Sequence, residues 1–304
     1  MRELVAVHTD RERSEGMDMT GRRAPTIRLR RLAAELKRLR VEASLKIEDV
    51  TERTGLDQSS LYRIERALNK PQRRTVMTLL QLYEVDQKRS ETLLAWLKDS
   101  GQQGWFQVYE PFLPEQYQAY VAFEYEAESL RNYESLFVPG LLQTEDYARA
   151  VVEGVERGKG LSVEDVERRV EVRMQRQSVL HRPTPMQLHA IIDEAAIRRQ
   201  VGGPQVMRAQ LDRLVQAIAS AHVRLQVVPF GAGAHPGMPG SFVVMDFADP
   251  FDAPLVYTDG IVGDAFLETG EDVARFAATF ELIAGLALSQ AQSKKLIHEA
   301  AKAA

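Results

Sequence analysis

The sequence predicts two units: an N-terminal all-α module of five short helices, followed by a mixed domain of α/β or α+β class. Three observations point there. The chain has 304 residues, beyond the roughly 100–200 of a typical single domain. Apolar residues recur at helical spacing from Ile27 to about Lys98, and beyond Trp105 helical patterns are interrupted by short β-rich runs. The expected division is a tail at 1–25, the helical module at 26–100 and the mixed domain at 106–304.

Residues 1–25 lack periodicity, balance 5 bases against 5 acids and are expected to be disordered, with Met17 and Met19 as alternative starts. From Ile27, Leu29, Leu32, Leu36 and Leu39 fall on one stripe, with Arg and Lys elsewhere. A second helix near Ile47 to Thr54 places Ile47, Val50 and Thr54 on one face. It stops at Gly55, a residue suited to the positive φ just past a helix end. The third helix follows Asp57. A fourth, from about Arg73 to Tyr83, turns Val76, Leu79, Leu80 and Tyr83 inward, and a fifth, from about Ser90 to Lys98, carries Leu93, Trp96 and Leu97.

The polar run "DSGQQGW", Asp99 to Trp105, separates this module from the next. Beyond it, helices are expected at Gln116 to Arg131, Glu145 to Glu153, Val163 to Leu180, Gln205 to Ser220 and Glu271 to Leu288. Strands are expected in "MQLHAII", "VRLQVVPF", "GSFVVMDF" and "PLVYTDG". Strand order does not follow from these patterns. The final segment, Ser289 to Ala304, reads as a short helix carrying Leu296 and Ile297. It is either a contact element for a partner or a helix docked on its own domain.

Composition narrows the chemistry. A hydrophobic content of 44% with 27% charged residues is that of a folding globular chain. With no cysteine, disulfides and thiolate metal sites are excluded. No apolar run approaches the ~18 residues of a membrane span, and the first 25 residues have acids within their only apolar patch, unlike a signal peptide. A cytoplasmic protein without a membrane partner is expected. Charge is segregated: residues 26–74 hold 13 bases against 7 acids, net +6, whereas residues 75–304 hold 21 against 31, net −10. The base-rich part is small and N-terminal, which directs attention to double-stranded DNA.

The stretch "TGLDQSSLYRIERALNKP", Thr54 to Pro71, sharpens that expectation. Asp57 is placed to cap the third helix by accepting from the amide of Ser59 or Ser60, and Leu56 and Leu61 hold the positions of a hydrophobic staple. At 100° per residue Leu61, Ile64 and Leu68 point one way, while Ser59, Tyr62, Arg63 and Arg66 point the other and Gln58 projects from the first turn. Arg can read guanine bidentately, Gln can read adenine, Ser can serve either, and a helix N-terminus favours phosphate. Two short helices joined by a tight turn, the second with such a face, describe a helix-turn-helix. The candidate DNA contacts are Lys46, Gln58, Ser59, Ser60, Tyr62, Arg63 and Arg66; Glu65, at the edge of the apolar face, is expected to pair with an arginine of the first helix. The plainer reading is a solvated face of an ordinary bundle; the glycine turn and the +6 segment favour DNA.

These residues also carry a resemblance. "SLKIEDVTERTGLDQSSLYRIERALNKP" resembles the XRE or phage-repressor type of helix-turn-helix, whose usual ending is S-x-I-E-x-G-x-x-x-P. Tyr62 and Ala67 stand where that family commonly has serine and glycine, Thr51 where it has alanine, and Ile47 where a glutamine often contacts the site. "ESLFVPGLLQTEDYARAV", "VRMQRQSVL", "IIDEAAIRRQVGG", "QVMRAQLDRL", "LQVVPFGAG" and "LALSQAQSKKLI" extend the likeness. Together they resemble actinomycete antitoxin-like transcriptional regulators, in which an XRE module precedes a large domain of unknown function. The resemblance implies a DNA-binding regulator, often encoded beside a small acidic partner protein.

Catalytic patterns are weak by comparison. "GAGAHPGMPG", Gly231 to Gly240, lacks the Lys-Ser/Thr of a phosphate loop and reads as a connection between strands. Asp193-Glu194 reads as a pair of helix-start acids. His189 and His235 have no metal-ligand spacing, His181, His222 and His298 read as surface or packing positions, and Trp96 and Trp105 as core. The expectation is a non-enzymatic regulator with no cofactor and no metal. Its larger domain dimerises, binds a partner, senses a signal, or combines these; the alternative is a small-molecule sensor or hydrolase domain tethered to DNA.

Overall fold

The computed structural model describes residues 27–99, 105–155, 160–248, 252–260 and 263–304. The tail expected at 1–25 and most of the break after Asp99 lie outside them. Five helices come first: α1 (Ile27–Glu42), α2 (Ile47–Thr54), α3 (Gln58–Glu65), α4 (Arg73–Leu82) and α5 (Gln87–Asp99). Their inward residues are those of the periodic pattern, with Leu32, Leu36, Val50, Leu61, Val76, Leu79 and Leu93 fully buried in one cluster.

The larger domain begins with a 3-10 segment at Trp105–Phe112 and α6 (Glu115–Glu126), then β1 (Ser129–Glu134), α7 (Glu145–Val155), α8 (Val163–Arg176) and β2 (Gln187–Asp193). It continues with α9 (Glu194–Arg198), α10 (Pro204–Ala217), β3 (Val223–Val228), β4 (Phe242–Asp246), β5 (Leu255–Thr258) and β6 (Ala265–Leu267). Two helices close it, α11 (Gly270–Leu286) and α12 (Gln290–Ala303). The six strands form one mixed sheet in the order β3-β2-β1-β4-β5-β6. β1, β2 and β3 run parallel, joined by helical crossovers, while β4, β5 and β6 pair antiparallel.

The helix expected over Gln116 to Arg131 is corrected here. It ends at Glu126, and Ser129–Glu134 becomes the central strand, paired with β2 on one side and β4 on the other. Helix-favouring Glu, Ala, Leu and Arg in "EAESLRNYE" lose to two complete ladders of backbone hydrogen bonds. β6 carries no sequence signal: three residues long, it is held by β5 alone.

One sheet face packs Leu188, Ala190, Ile192, Leu225 and Met245 against residues of α6, α10 and α12. The other packs Tyr133, Ile191, Val228, Phe242 and Val256 against Phe280 and Ile283 of α11. The final helix is docked on its own domain: Ile297, Ala300 and Ala301 are buried in the main core, and Leu296 packs at its edge.

Buried polar groups hold the connections of this domain. Arg176 donates to both carboxylate oxygens of Glu124 at 2.7 Å and to the Tyr117 hydroxyl at 2.7 Å, while the Tyr120 hydroxyl donates to Glu124 at 2.9 Å. The turn at Pro139-Gly140 is pinned from several sides. Gln143 donates to the Val138 carbonyl, Gln177 to the Gln143 carbonyl, and Gln210 bridges the Thr144 amide and the Leu142 carbonyl, at 2.7–2.8 Å. Gln143, Arg176, Gln177 and Gln210 all come from the distinctive segments of the sequence; the three glutamines satisfy buried backbone, while Arg176 neutralises the buried Glu124.

Gly237 explains the glycine-rich loop. A Cβ there would lie 2.5 Å from the Tyr133 ring, so the loop between β3 and β4 closes over the end of β1 only with glycine at this point. His235 Nε2 faces Asp193 Oδ2 at 3.3 Å, and its Nδ1 accepts from the Gly237 amide at 3.3 Å, so both ring nitrogens serve the loop.

Candidate nucleic-acid interface

Helix α3 is set by its ends. Gly55 takes φ 71° and ends α2 with its amide on the Thr51 carbonyl, and Asp57 accepts from the Ser60 amide at 2.9 Å to cap α3. Leu56 packs at the edge of the core that Leu61 fills. The far end closes by a Schellman turn: the Leu68 amide reaches the Arg63 carbonyl at 2.8 Å, the Ala67 amide reaches the Ile64 carbonyl at 3.0 Å, and Ala67 takes φ 55°. This overturns the inward placement of Leu68. The left-handed residue redirects the chain, so Ala67 is buried and Leu68 is 44% exposed.

α3 is held from beneath. Arg40 of α1 donates Nε to Glu65 Oε1 at 2.7 Å and Nη2 to Oε2 at 2.9 Å, and its remaining nitrogen reaches the Leu45 carbonyl at 2.9 Å. The arginine partner anticipated for Glu65 is therefore Arg40.

Of the candidate contacts, Lys46, Gln58, Ser59, Tyr62 and Arg66 are exposed, while Ser60 and Arg63 are half-buried. The α3 residues form one outward set, with Lys46 apart from it at the start of α2. These side chains engage one another. Gln58 donates to Glu48 at 3.1 Å, Ser59 donates to Asp57, and Arg63 approaches the Ser60 hydroxyl at 3.4 Å. Arg66 donates to the Tyr62 hydroxyl at 2.6 Å and lies over its ring at 5.2 Å. Lys70, Arg73 and Arg74 are also exposed, just past α3 and on the first turn of α4, and enlarge the basic surface. Their signal, the run "NKPQRR", is present in the sequence.

The module sits on the larger domain through the N-terminal turn of α1. Arg30 donates to Glu268 at 2.8 Å and lies over the rings of Phe123 and Phe266 at 4.8 and 5.2 Å. Arg31 pairs with the buried Asp252, and burial raises the Glu126 carboxyl above its ordinary value, opposed by Arg28 and Arg31.

In the larger domain a cleft of about 190 Å³ lies at the start of the parallel strands, bordered by Arg131, His189, His222 and Arg224. Its charge is offset locally, since Arg131 pairs with Asp246 at 3.2 Å. Burial lowers the His189 pKa, partly offset by its 2.8 Å contact with Gln226. Among the described residues no group of three or more His, Asp or Glu is placed to hold a metal ion. Trp96 is in the core of the helical module, whereas Trp105 is half-buried and packs at the edge of the larger domain's core.

Among the described residues no helix is long and apolar enough to cross a membrane. No curated protein and no solved structure matches the chain. Two family models do: a helix-turn-helix domain over residues 31–93 and a domain of unknown function (DUF5753) over residues 117–299. The capped turn between α2 and α3 lies within the first match and the six-stranded sheet within the second, and the chain belongs to the family of that domain of unknown function, with a helix-turn-helix domain ahead of it.

Proposed function

We propose that this protein is a sequence-specific, DNA-binding transcription regulator. Its α3 enters the major groove, with Gln58, Ser59, Tyr62, Arg63 and Arg66 toward base edges, while Lys46 and the amide end of α3 around Ser60 meet phosphate. The observation that carries this reading is the exposed polar face of a capped α3 inside a helix-turn-helix domain. The charge division supports it, with +6 over residues 26–74 and −10 beyond.

The larger domain acts by protein contact, with a second copy of the chain and with a small partner protein, as in an antitoxin-like regulator of the XRE type. The protein works in the cytoplasm without catalysis or cofactor. Titrating the full chain with duplex DNA at rising salt tests the central statement. Neutralising about six phosphates gives a slope near −5 of log K against log salt. A salt-insensitive interaction, or none with duplex DNA, would overturn it.

A further inference from the structure

The starting edge of the parallel strands carries a row of bases. The register sets Arg131 beside His189 and His189 beside Arg224, so three neighbouring strands present these side chains from one sheet face. Two residues further along each strand, Tyr133, Ile191 and Gln226 form the next row of that face, and all three are buried. Tyr133 and Ile191 pack there against Phe280 and Ile283 of α11. The basic row stays accessible: Arg224 is exposed, Arg131 and His189 are half-buried, and all three line the cleft of about 190 Å³ with His222.

This cleft is short of acceptors. Asp246 accepts from Arg131 at 3.2 Å and from the Ser129 hydroxyl at 3.0 Å. Arg224 has no counterpart, because among the described residues its side chain makes no hydrogen bond and no ion pair. The orientation of His189 is fixed from above. Gln226 donates its amide nitrogen to the Leu288 carbonyl at 2.9 Å and so turns its oxygen to His189 Nε2 at 2.8 Å. A carbonyl oxygen only accepts, hence Nε2 carries the hydrogen, and Nδ1 is the nitrogen left without a partner among the described residues. Burial holds His189 below its usual pKa. Arg224 and Arg131 add to that, while Gln226 and the exposed Glu281 of α11 oppose it. With both histidines neutral, Arg131 and Arg224 less Asp246 leave the cleft at +1, and a proton on His189 makes it +2.

We propose that this cleft is a binding site for a phosphate group, free or carried on a small molecule, held by Arg224, Arg131 and His189. Arginine offers phosphate a planar fork of donors, and Arg224 has its whole fork to give. A phosphate dianion matches the +2 reached when His189 takes a proton from solvent, whereas a single carboxylate does not. The volume lies below the ~300 Å³ at which pockets for drug-sized ligands begin, which limits any carrier to a few atoms. The site goes beyond the proposed DNA-binding role and does not depend on it.

Isothermal titration calorimetry of the full chain tests this at pH near about 7.5, with inorganic phosphate, sulfate and acetate as probes in buffers of unlike ionisation heat. Phosphate and sulfate are expected to bind with Kd of about 1 mM or below, and acetate about tenfold more weakly. Sulfate does not titrate in this range, so protons taken up with it belong to the protein; the wild type should show uptake and His189→Gln none. Arg224→Ala, an exposed change whose folding circular dichroism confirms, should weaken both dianions about tenfold or more. Glycerol 3-phosphate run beside inorganic phosphate separates the two sources, the tighter binder being the form the site takes. No phosphate binding, acetate bound as tightly as phosphate, or sulfate bound without proton uptake would overturn the proposal. So would binding undiminished in Arg224→Ala, which would place the anion on the basic face of the helical module. Duplex affinity of Arg224→Ala in phosphate-free buffer should equal that of the wild type, so failure of this site and failure of the DNA-binding role are distinguishable.

Discussion

Arg40 and Glu65 meet through two parallel hydrogen bonds of 2.7 and 2.9 Å, joining the last turn of α1 to the last residue of α3. Both side chains are nearly buried, at 11% and 5% exposed. The outward face of α3 is thus aimed by an ion pair behind it. Removing one partner leaves a buried charge unmatched, so Glu65→Ala should lower the stability of the helical module by about 3 kcal/mol. Trp96, in the core of that module, supplies a fluorescence signal for its denaturant unfolding. Loss of under about 0.5 kcal/mol would mean that the pair acts as an ordinary surface contact.

The outward face of α3 gives a second test. Gln58→Ala and Arg63→Ala should each reduce discrimination between operator and random duplex by about 1–3 kcal/mol, whereas Lys46→Ala should weaken both alike. Competition titrations at fixed salt separate the two behaviours. Equal losses on both duplexes for all three variants would show that bases are read by another surface.

The helical module is largely legible in the sequence because each of its helices carries a local code: an apolar stripe, a cap at Asp57, a glycine at position 55. Glu65 is legible for the same reason, being a charge at the margin of an apolar stripe. The outward turn of Leu68 is not, because its direction depends on Ala67 adopting φ 55°, a conformation that alanine does not announce. β1 is hidden because its identity comes from neighbours far along the chain, β2 and β4, and not from its own propensity. The seating of Arg30 and Arg31 on Glu268 and Asp252 is invisible for a like reason, since it joins residues more than 200 positions apart.

Left-handed residues provide a paired test of opposite sign. Gly55 has φ 71° and nothing within 4 Å of the point where a Cβ would stand, so Gly55→Ala should cost about 1 kcal/mol through backbone strain alone. Glu84, exposed at φ 54° after α4, carries the reverse burden. Glu84→Gly relieves about 1–2 kcal/mol of strain and gives back roughly 0.5–1 through the freer unfolded chain, for a net gain near 0.5 kcal/mol. Urea midpoints of the two variants should move in opposite directions, and a shift of both the same way would contradict this account.

The last prediction concerns Glu134, the final residue of β1. Burial is the main cause that raises its pKa to about 7, helped by Asp259 and opposed by hydrogen bonds from Ser241 and Asn132 and by Arg173. In the unfolded chain a glutamate titrates near about 4.3. Between these values the unfolded state gives up its proton while the folded state keeps it. Folded protein then binds more protons, so stability falls as pH rises from about 4.3 to 7 and levels off above. Glu134→Gln keeps the shape and removes the charge. The variant should match the wild type at pH near about 3.5 and exceed it by roughly 3–4 kcal/mol at pH near about 8. Urea unfolding of both proteins across this range measures the difference directly, with other titrations cancelling between them. A difference that is constant with pH would show that Glu134 ionises as freely in the fold as in the open chain.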